Sequence, residues 1–271
     1  MRYQQIKDRS ESDFKRLTGV RADVFRQMLP TLFSPTNRGR PAKLSCSDQL
    51  LMTLMYWREY RTQYHIGQAY AVSESTVCRT IQRVENRLIQ CRQFRLPSKR
   101  ELLESQTNIQ GVIVDVTEQP IERPKKTAST LQRQEKKHTQ QAQLIINQHS
   151  LQIIATAFSS GSKHDFQLFK DSQTAISEQI SCLADSGYQG LSNLPAKSWR
   201  PKKKSKHRPL SRQEKATNQH LARGRIHIEH VIEKLKVFAI LCQRYRNRRR
   251  RFSLCFNLIA AIYNLELKLK S

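Results

Sequence analysis

The apolar residues change their period once along the chain, at Pro97, and that change limits the possible folds more than any other feature. Before it, apolar residues recur at three- and four-residue intervals, as in helices with one buried face. After it come short β-branched runs at 108–115 (NIQGVIVD), 142–147 (AQLIIN), 151–158 (LQIIATAF) and 180–185 (ISCLAD), each bounded by polar turn residues. Runs of this length read as strands of one sheet. Helices are expected at 164–178, 218–240 and 252–269. The expected architecture is therefore α/β: a mixed sheet flanked by helices, preceded by a small all-α region. The boundary falls near Pro97, giving a helical N-terminal domain over 1–97 and a second domain over 98–271.

Within the first region, 12–33 reads as two short helices, the second starting near Ala22, and a further helix runs on from Asp48 behind a serine-rich cap. The segment 65–88, HIGQAYAVSESTVCRTIQRVENRL, fits a helix-turn-helix. Ile66 and Tyr70 pack inward, Gly67 permits close approach, Val72 fills the turn, Ser73 caps the second helix, and Val77, Ile81 and Val84 continue its apolar face. Glu74, Ser75, Thr76 and Arg79 then stand on the exposed N-terminal part of a recognition helix. Ala71 occupies the turn position where glycine is usual. The competing reading is an ordinary helical hairpin in a bundle.

Charge decides what such a chain meets. Lys and Arg number 48 against 22 acids, a net +26, and residues 201–251 alone hold 17 Lys and Arg against three acids. An excess of this size points to a polyanion, because neutralised phosphates release counterions. Ribosomal proteins share the composition, so charge alone implies nucleic acid of either kind. No run is long or apolar enough for a membrane span, and the first residues hold no secretory core, so a cytoplasmic, nucleoid-associated protein without a membrane partner is expected. The six cysteines lack zinc spacing and read as reduced thiols. His227 and His230 lie three apart rather than four, which sets aside an HExxH zinc helix. Tyr188 has no Arg-His-Arg cluster around it in sequence and is read as a packing residue, not a recombinase nucleophile.

Two carboxylates end apolar strands: Asp115 in VIVDVTEQPIERP and Asp185 in CLADSGYQG. A strand end holds its side chain rigidly at a crevice. Two acids on neighbouring strands repel unless a cation lies between them, which favours a hard divalent metal with oxygen ligands. Taken singly, each Asp also reads as a turn or cap residue. A third acid stands in the basic helix ARGRIHIEHVIEKLK, where Arg225, Glu229 and Lys236 share one face and Ile228, Ile232 and Leu235 form the packing stripe. Glu233 is the rival of Glu229; the latter ranks first because it lies between Arg225 and Lys236.

With these pieces in place, the chain resembles the DDE transposases of bacterial insertion sequences, in the branch with an N-terminal helix-turn-helix and a ribonuclease-H-like catalytic domain. The matching segments are VDVTEQPIERP, KKHTQQAQLII (136–146), SGSKHDFQLF (160–169), LADSGYQG and RIHIEHVIEKLK, in family order over most of the chain. The family's Tyr–Arg–Glu–Lys signature is met by Arg225, Glu229 and Lys236, with Ala222 at the Tyr position. Residues 131–135 stand where the family has Tyr-Ser-Gly.

The resemblance implies a phosphoryl-transfer enzyme that cuts at the element's ends and joins the 3′-hydroxyl to target DNA. Its ligands for two Mg²⁺ or Mn²⁺ ions would be Asp115, Asp185 and Glu229. Double-stranded DNA, as terminal inverted repeats and target, is the implied partner, bound by a homodimer. Arg225, Lys236, Lys136 and Lys137 would contact phosphates, with Lys125 and Lys126 along the same groove and the basic runs 200–208 and 244–252 adding non-specific grip. Two alternatives stay open: a catalytically decayed, transposon-derived DNA-binding regulator, and a structural RNA-binding protein.

Overall fold

The computed structural model describes residues 1–33, 43–104, 109–122, 138–188, 190, 197–202, 209–247 and 251–270. Lys125, Lys126, Lys136 and Lys137 lie outside the described residues, as do 203–208 of the first basic run and 248–250 of the second. The chain divides into two compact units, Met1–Arg95 with Leu235–Ser271, and Leu96–Lys234. The first boundary, between Arg95 and Leu96, falls just before Pro97. The expected second domain kept everything after 97 together, whereas residues from Leu235 onward cluster with the N-terminal helices.

The first unit is all-helical: α1 (Glu11–Thr18), α2 (Ala22–Met28), α3 (Cys46–Glu59), α4 (Gln63–Tyr70), α5 (Glu74–Gln90) and, from the far end of the chain, α8 (Phe252–Lys268). Capping residues fix the starts. Ser10, Ser45, Thr62 and Ser73 each accept a backbone N–H from the first turn of the helix they precede, and Gly19 closes α1 at φ 82°. α3 buries Leu50, Leu51, Met52, Leu54, Tyr56 and Trp57, and packs against α1 and α5. α8 is mostly apolar, with Ser253, Asn257 and Asn264 on one stripe; it buries Phe256, Leu258, Ile259, Ile262 and Leu265 among others, and packs on α5 and α2. A helix of that kind belongs in a core. Each large apolar side chain it buries stabilises the unit by ~2 kcal/mol.

The helix-turn-helix forms as read. Ala71 sits between α4 and α5 in the left-handed region, at φ 52° and ψ 48°. Gly67 has no room for a side chain, since a Cβ would come within 2.7 Å of the Val72 carbonyl oxygen. Ser73 accepts the Thr76 N–H at 3.3 Å and starts α5.

The second unit is built on a five-stranded sheet in the order β3-β2-β1-β4-β5, with β1 (Gly111–Pro120), β2 (Thr139–Asn147), β3 (Ile153–Ser160), β4 (Ser181–Ala184) and β5 (Ser198–Trp199). β2 runs antiparallel to β1 and β3, while β4 is parallel to β1 and β5 to β4. That order and polarity are those of a ribonuclease-H-like sheet, the fold class expected from sequence. Alternation sets the faces. Val112, Val114, Ile145, Cys182 and Ala184 join Phe169 of α6 (Asp165–Asp171) in one core cluster. Ile113, Asp115 and Leu183 point the other way, towards α7 (Arg212–Lys236), where a Cβ on Gly224 would touch Leu183 at 3.0 Å.

α6 is half the expected length. The Ser172 hydroxyl donates to the Phe169 carbonyl at 2.6 Å and Gln173 turns to φ 51°, so the backbone leaves the helix there. Among the described residues no helix is long and apolar enough to cross a membrane.

Candidate active site and nucleic-acid interface

The parallel register of β1 and β4 runs Val112 opposite Cys182, Ile113 opposite Leu183 and Val114 opposite Ala184. The next step along both chains is Asp115 and Asp185. Hydrogen-bonded strands lie about 4.8 Å apart, so the sheet holds these two carboxylates side by side on the α7 face. Backbone donors aim them: the Val116 N–H reaches Asp115 Oδ1 at 2.9 Å, and the Ser186 N–H reaches Asp185 Oδ1 at 2.5 Å.

Between them comes Arg225 from α7. Its Nη1 donates to Asp185 Oδ1 at 3.1 Å and its Nη2 to Asp115 Oδ2 at 3.5 Å, while its Nε is buried with no partner. Burial pushes the Asp115 carboxyl up, the Arg225 guanidinium and the Val116 N–H pull it down, and the Asp185 charge pushes it up again. The upward causes prevail, as they must for an acid held between a core and a like charge.

One more acid borders the pair, with Glu118 near it in turn. Asp165, the first residue of α6, has Oδ2 at 2.9 Å from where a Cβ on Gly187 would stand, which brings it against the turn that follows Asp185. Its carboxyl is pushed up by burial and by the charges of Asp185 and Glu118. Glu118 accepts from Gln141 Nε2 at 3.1 Å. Beneath them the Tyr188 hydroxyl donates to Gln143 Oε1 at 3.4 Å, and burial with the charges of Asp165, Asp115 and Asp185 pushes the phenol up. Tyr188 is fully buried beside Phe169, the packing role expected of it. Asp165 went unrecognised in the sequence, although it lies in SGSKHDFQLF; the His-Asp pair opening a helix was the available signal.

The expected third acid is placed differently. Glu229 is exposed, as are Glu233 and Lys236, while Ile228 and Val231 are buried. The buried stripe of α7 runs through 225, 228 and 231, and Glu229 lies one residue past it, turned about 100° away. Among the described residues no three of His, Cys, Asp and Glu are gathered to hold a metal. The structure thus brings together Asp115, Asp185 and Arg225, and leaves Glu229 in solvent. The donor set of two adjacent carboxylates around a cation still suits a hard divalent ion.

In the helical unit, Glu74, Ser75 and Arg79 are exposed and Thr76 is half-buried. The Ser73 hydroxyl shares hydrogen bonds with the Ser75 and Thr76 hydroxyls at 3.1 and 2.9 Å, so these two also serve the cap. A groove of about 320 Å³ runs along the same helix, lined by Arg79, Gln82, Arg83, Asn86, Arg87 and Gln90. Every lining residue can donate, and none is acidic. Of these, only Arg79 lies in the first turns of the helix, where recognition-helix geometry points.

The family model described as "Transposase DDE domain" matches residues 106–265, and that described as "Helix-turn-helix of DDE superfamily endonuclease" matches residues 42–94. The chain is similar to the probable transposase for insertion sequence element IS702 of Microchaete diplosiphon, at 45% identity over 276 residues covering the whole of both chains. Among solved structures it is similar to a pre-cleavage Mos1 transpososome, with a TM-score of 0.29 and 11% identity over 88% of this chain and 80% of that one. It is similar also to the Mos1 transposase paired-end complex with left transposon end, with a TM-score of 0.29 and 10% identity over 87% and 80%.

Proposed function

The chain belongs to the transposases with a DDE domain, and from that membership we propose that it cuts DNA at the ends of an insertion sequence and joins the freed 3′-hydroxyl to target DNA. The observation that carries the reading to particular atoms is the convergence of Asp115, in the middle of β1, and Asp185, just past the end of β4, on one cation, Arg225. Asp115 and Asp185 would hold the divalent ions, Mg²⁺ or Mn²⁺, two in number, with Glu229 as the third ligand. Bound there, such ions activate a hydroxyl and neutralise charge developing at phosphorus. The residues supply the rest. The sheet and the Val116 and Ser186 N–H groups fix the carboxylates, so no reorganisation is needed at the moment of reaction. Arg225, Lys236, Lys136 and Lys137 contact phosphates of the strand being cut.

The helical unit reads the element's terminal inverted repeats, with α5 against the duplex: Glu74, Ser75, Thr76 and Arg79 at its start, and the Arg–amide groove farther along on the backbone. Two ends must be brought together, so the working species is a homodimer on DNA.

The test is nicking of a supercoiled plasmid carrying paired inverted repeats, with Mg²⁺ or Mn²⁺ added. The expected result is activity that EDTA removes and that Asp115→Ala or Asp185→Ala reduces to background. Variants that nick as fast as the parent would defeat the placement of the site.

A further inference from the structure

We propose that Arg225 is an exchangeable counter-ion: it holds the two carboxylates in register until a divalent ion takes them, and is thereby released to bind a DNA phosphate. The inference rests on Asp115 and Asp185 being the metal-holding pair. Three observations carry it. The guanidinium spans both carboxylates, through Nη1 to Asp185 Oδ1 and Nη2 to Asp115 Oδ2. Both contacts are long, at 3.1 and 3.5 Å, against roughly 2.7–2.9 Å for a well-formed charge-assisted bond. And Nε is buried with no partner, so the clamp leaves one donor unused.

Arginine cannot shed its proton in a protein, so it cannot make way by discharging. A guanidinium brings one positive charge to two carboxylates, and a divalent ion brings two. When the ion binds, Arg225 is left beside a neutralised pair and must turn away from it. The released fork has the planar geometry that suits a phosphate. Metal and phosphate then favour the same arginine position, so each promotes binding of the other.

The experiment measures Mn²⁺ affinity of the full chain without DNA, by electron paramagnetic resonance of the free ion, for the parent, Arg225→Gln, Arg225→Lys and Arg223→Gln. Arg223 is an exposed cation on the same helix and controls for loss of charge alone. Arg225→Gln is expected to bind Mn²⁺ more tightly, on the order of tenfold, because nothing competes for the carboxylates. Arg223→Gln should match the parent. Arg225→Lys keeps the charge but cannot fork to both acids, so it should tighten binding in the same direction; it also stands in if the glutamine variant gives no cooperative melt. Equal or weaker affinity in the Arg225 variants overturns the exchange while leaving the metal site standing. If the parent binds no Mn²⁺, or Asp115→Asn binds it as well as the parent, the site assignment itself fails.

Discussion

Arg251 and Glu85 meet across 166 positions of sequence, and nearly everything about the pair is set by where Glu85 is buried. Its carboxylate is 5% exposed, takes the Trp57 indole N–H at 3.2 Å and is capped by the Arg251 guanidinium. Burial pushes this acid above the ordinary glutamate range, and Arg251 with Trp57 only partly offsets it. Removing one partner of such a pair leaves an uncompensated charge, so Arg251→Ala should cost about 3 kcal/mol in urea unfolding at neutral pH. The deficit has a pH sign. An acid whose folded-state value is raised takes up its proton sooner in the folded state, so stability is gained as pH falls through that value towards the unfolded one. Without Arg251 the value rises further, so the deficit of Arg251→Ala should shrink between neutral pH and about pH 5. A deficit constant over that range would show that Glu85 carries no charge burden. The same scale explains the fate of Glu229. Spacing put Arg225, Glu229 and Lys236 on one face, but spacing does not say which member of a face points inward. Arg225 does, because two acids await it, and Glu229 then falls outside the buried stripe of Ile228 and Val231.

At the scale of elements, the turn between α4 and α5 is strained in a measurable way. Ala71 adopts the left-handed conformation at a cost of roughly 1 kcal/mol, and glycine would not bear it. Ala71→Gly should therefore raise the melting temperature of the chain by a few degrees. Gly67→Ala should lower it, since the new methyl meets a backbone oxygen that cannot step aside. If both substitutions are neutral, the turn is not held as described. This turn was readable in advance, with its deviant alanine, because caps and apolar spacing act within a few residues. So were four of the five strands and the end of β4 before Asp185, but not the reach of β1, which runs on to Pro120 and leaves Asp115 in mid-strand rather than at the expected end. β5 was not: two residues, one of them an exposed Trp199, leave no periodicity to see. The early end of α6 was also hidden, because it depends on a serine hydroxyl competing with the helix. Asp165 was hidden too, since its neighbours Asp185 and Glu118 come from distant elements and only the fold assembles them.

At the scale of the whole molecule, the helical unit is written in two pieces of sequence, with the sheet unit between them. Period and charge could place a boundary at Pro97, but nothing local in α8 says which core it joins. Its broad apolar surface says only that it must be enclosed. A fragment of residues 1–95 lacks α8 and the surface it covers on α2 and α5, and should show weak, non-cooperative unfolding by circular dichroism. Adding residues 235–271 as a separate peptide should restore a cooperative transition. A fragment 1–95 that melts cooperatively alone would mean α8 is dispensable to that unit.

The split has a consequence during synthesis. On a ribosome the N-terminal helices emerge first, yet their core stays open until α8 has been translated, after the sheet unit has already had time to fold. A nascent chain therefore brings Asp115 and Asp185 together before the core of its helical unit is closed. A gene copy interrupted by a stop codon anywhere before α8 is expected to yield a helical fragment whose core never closes.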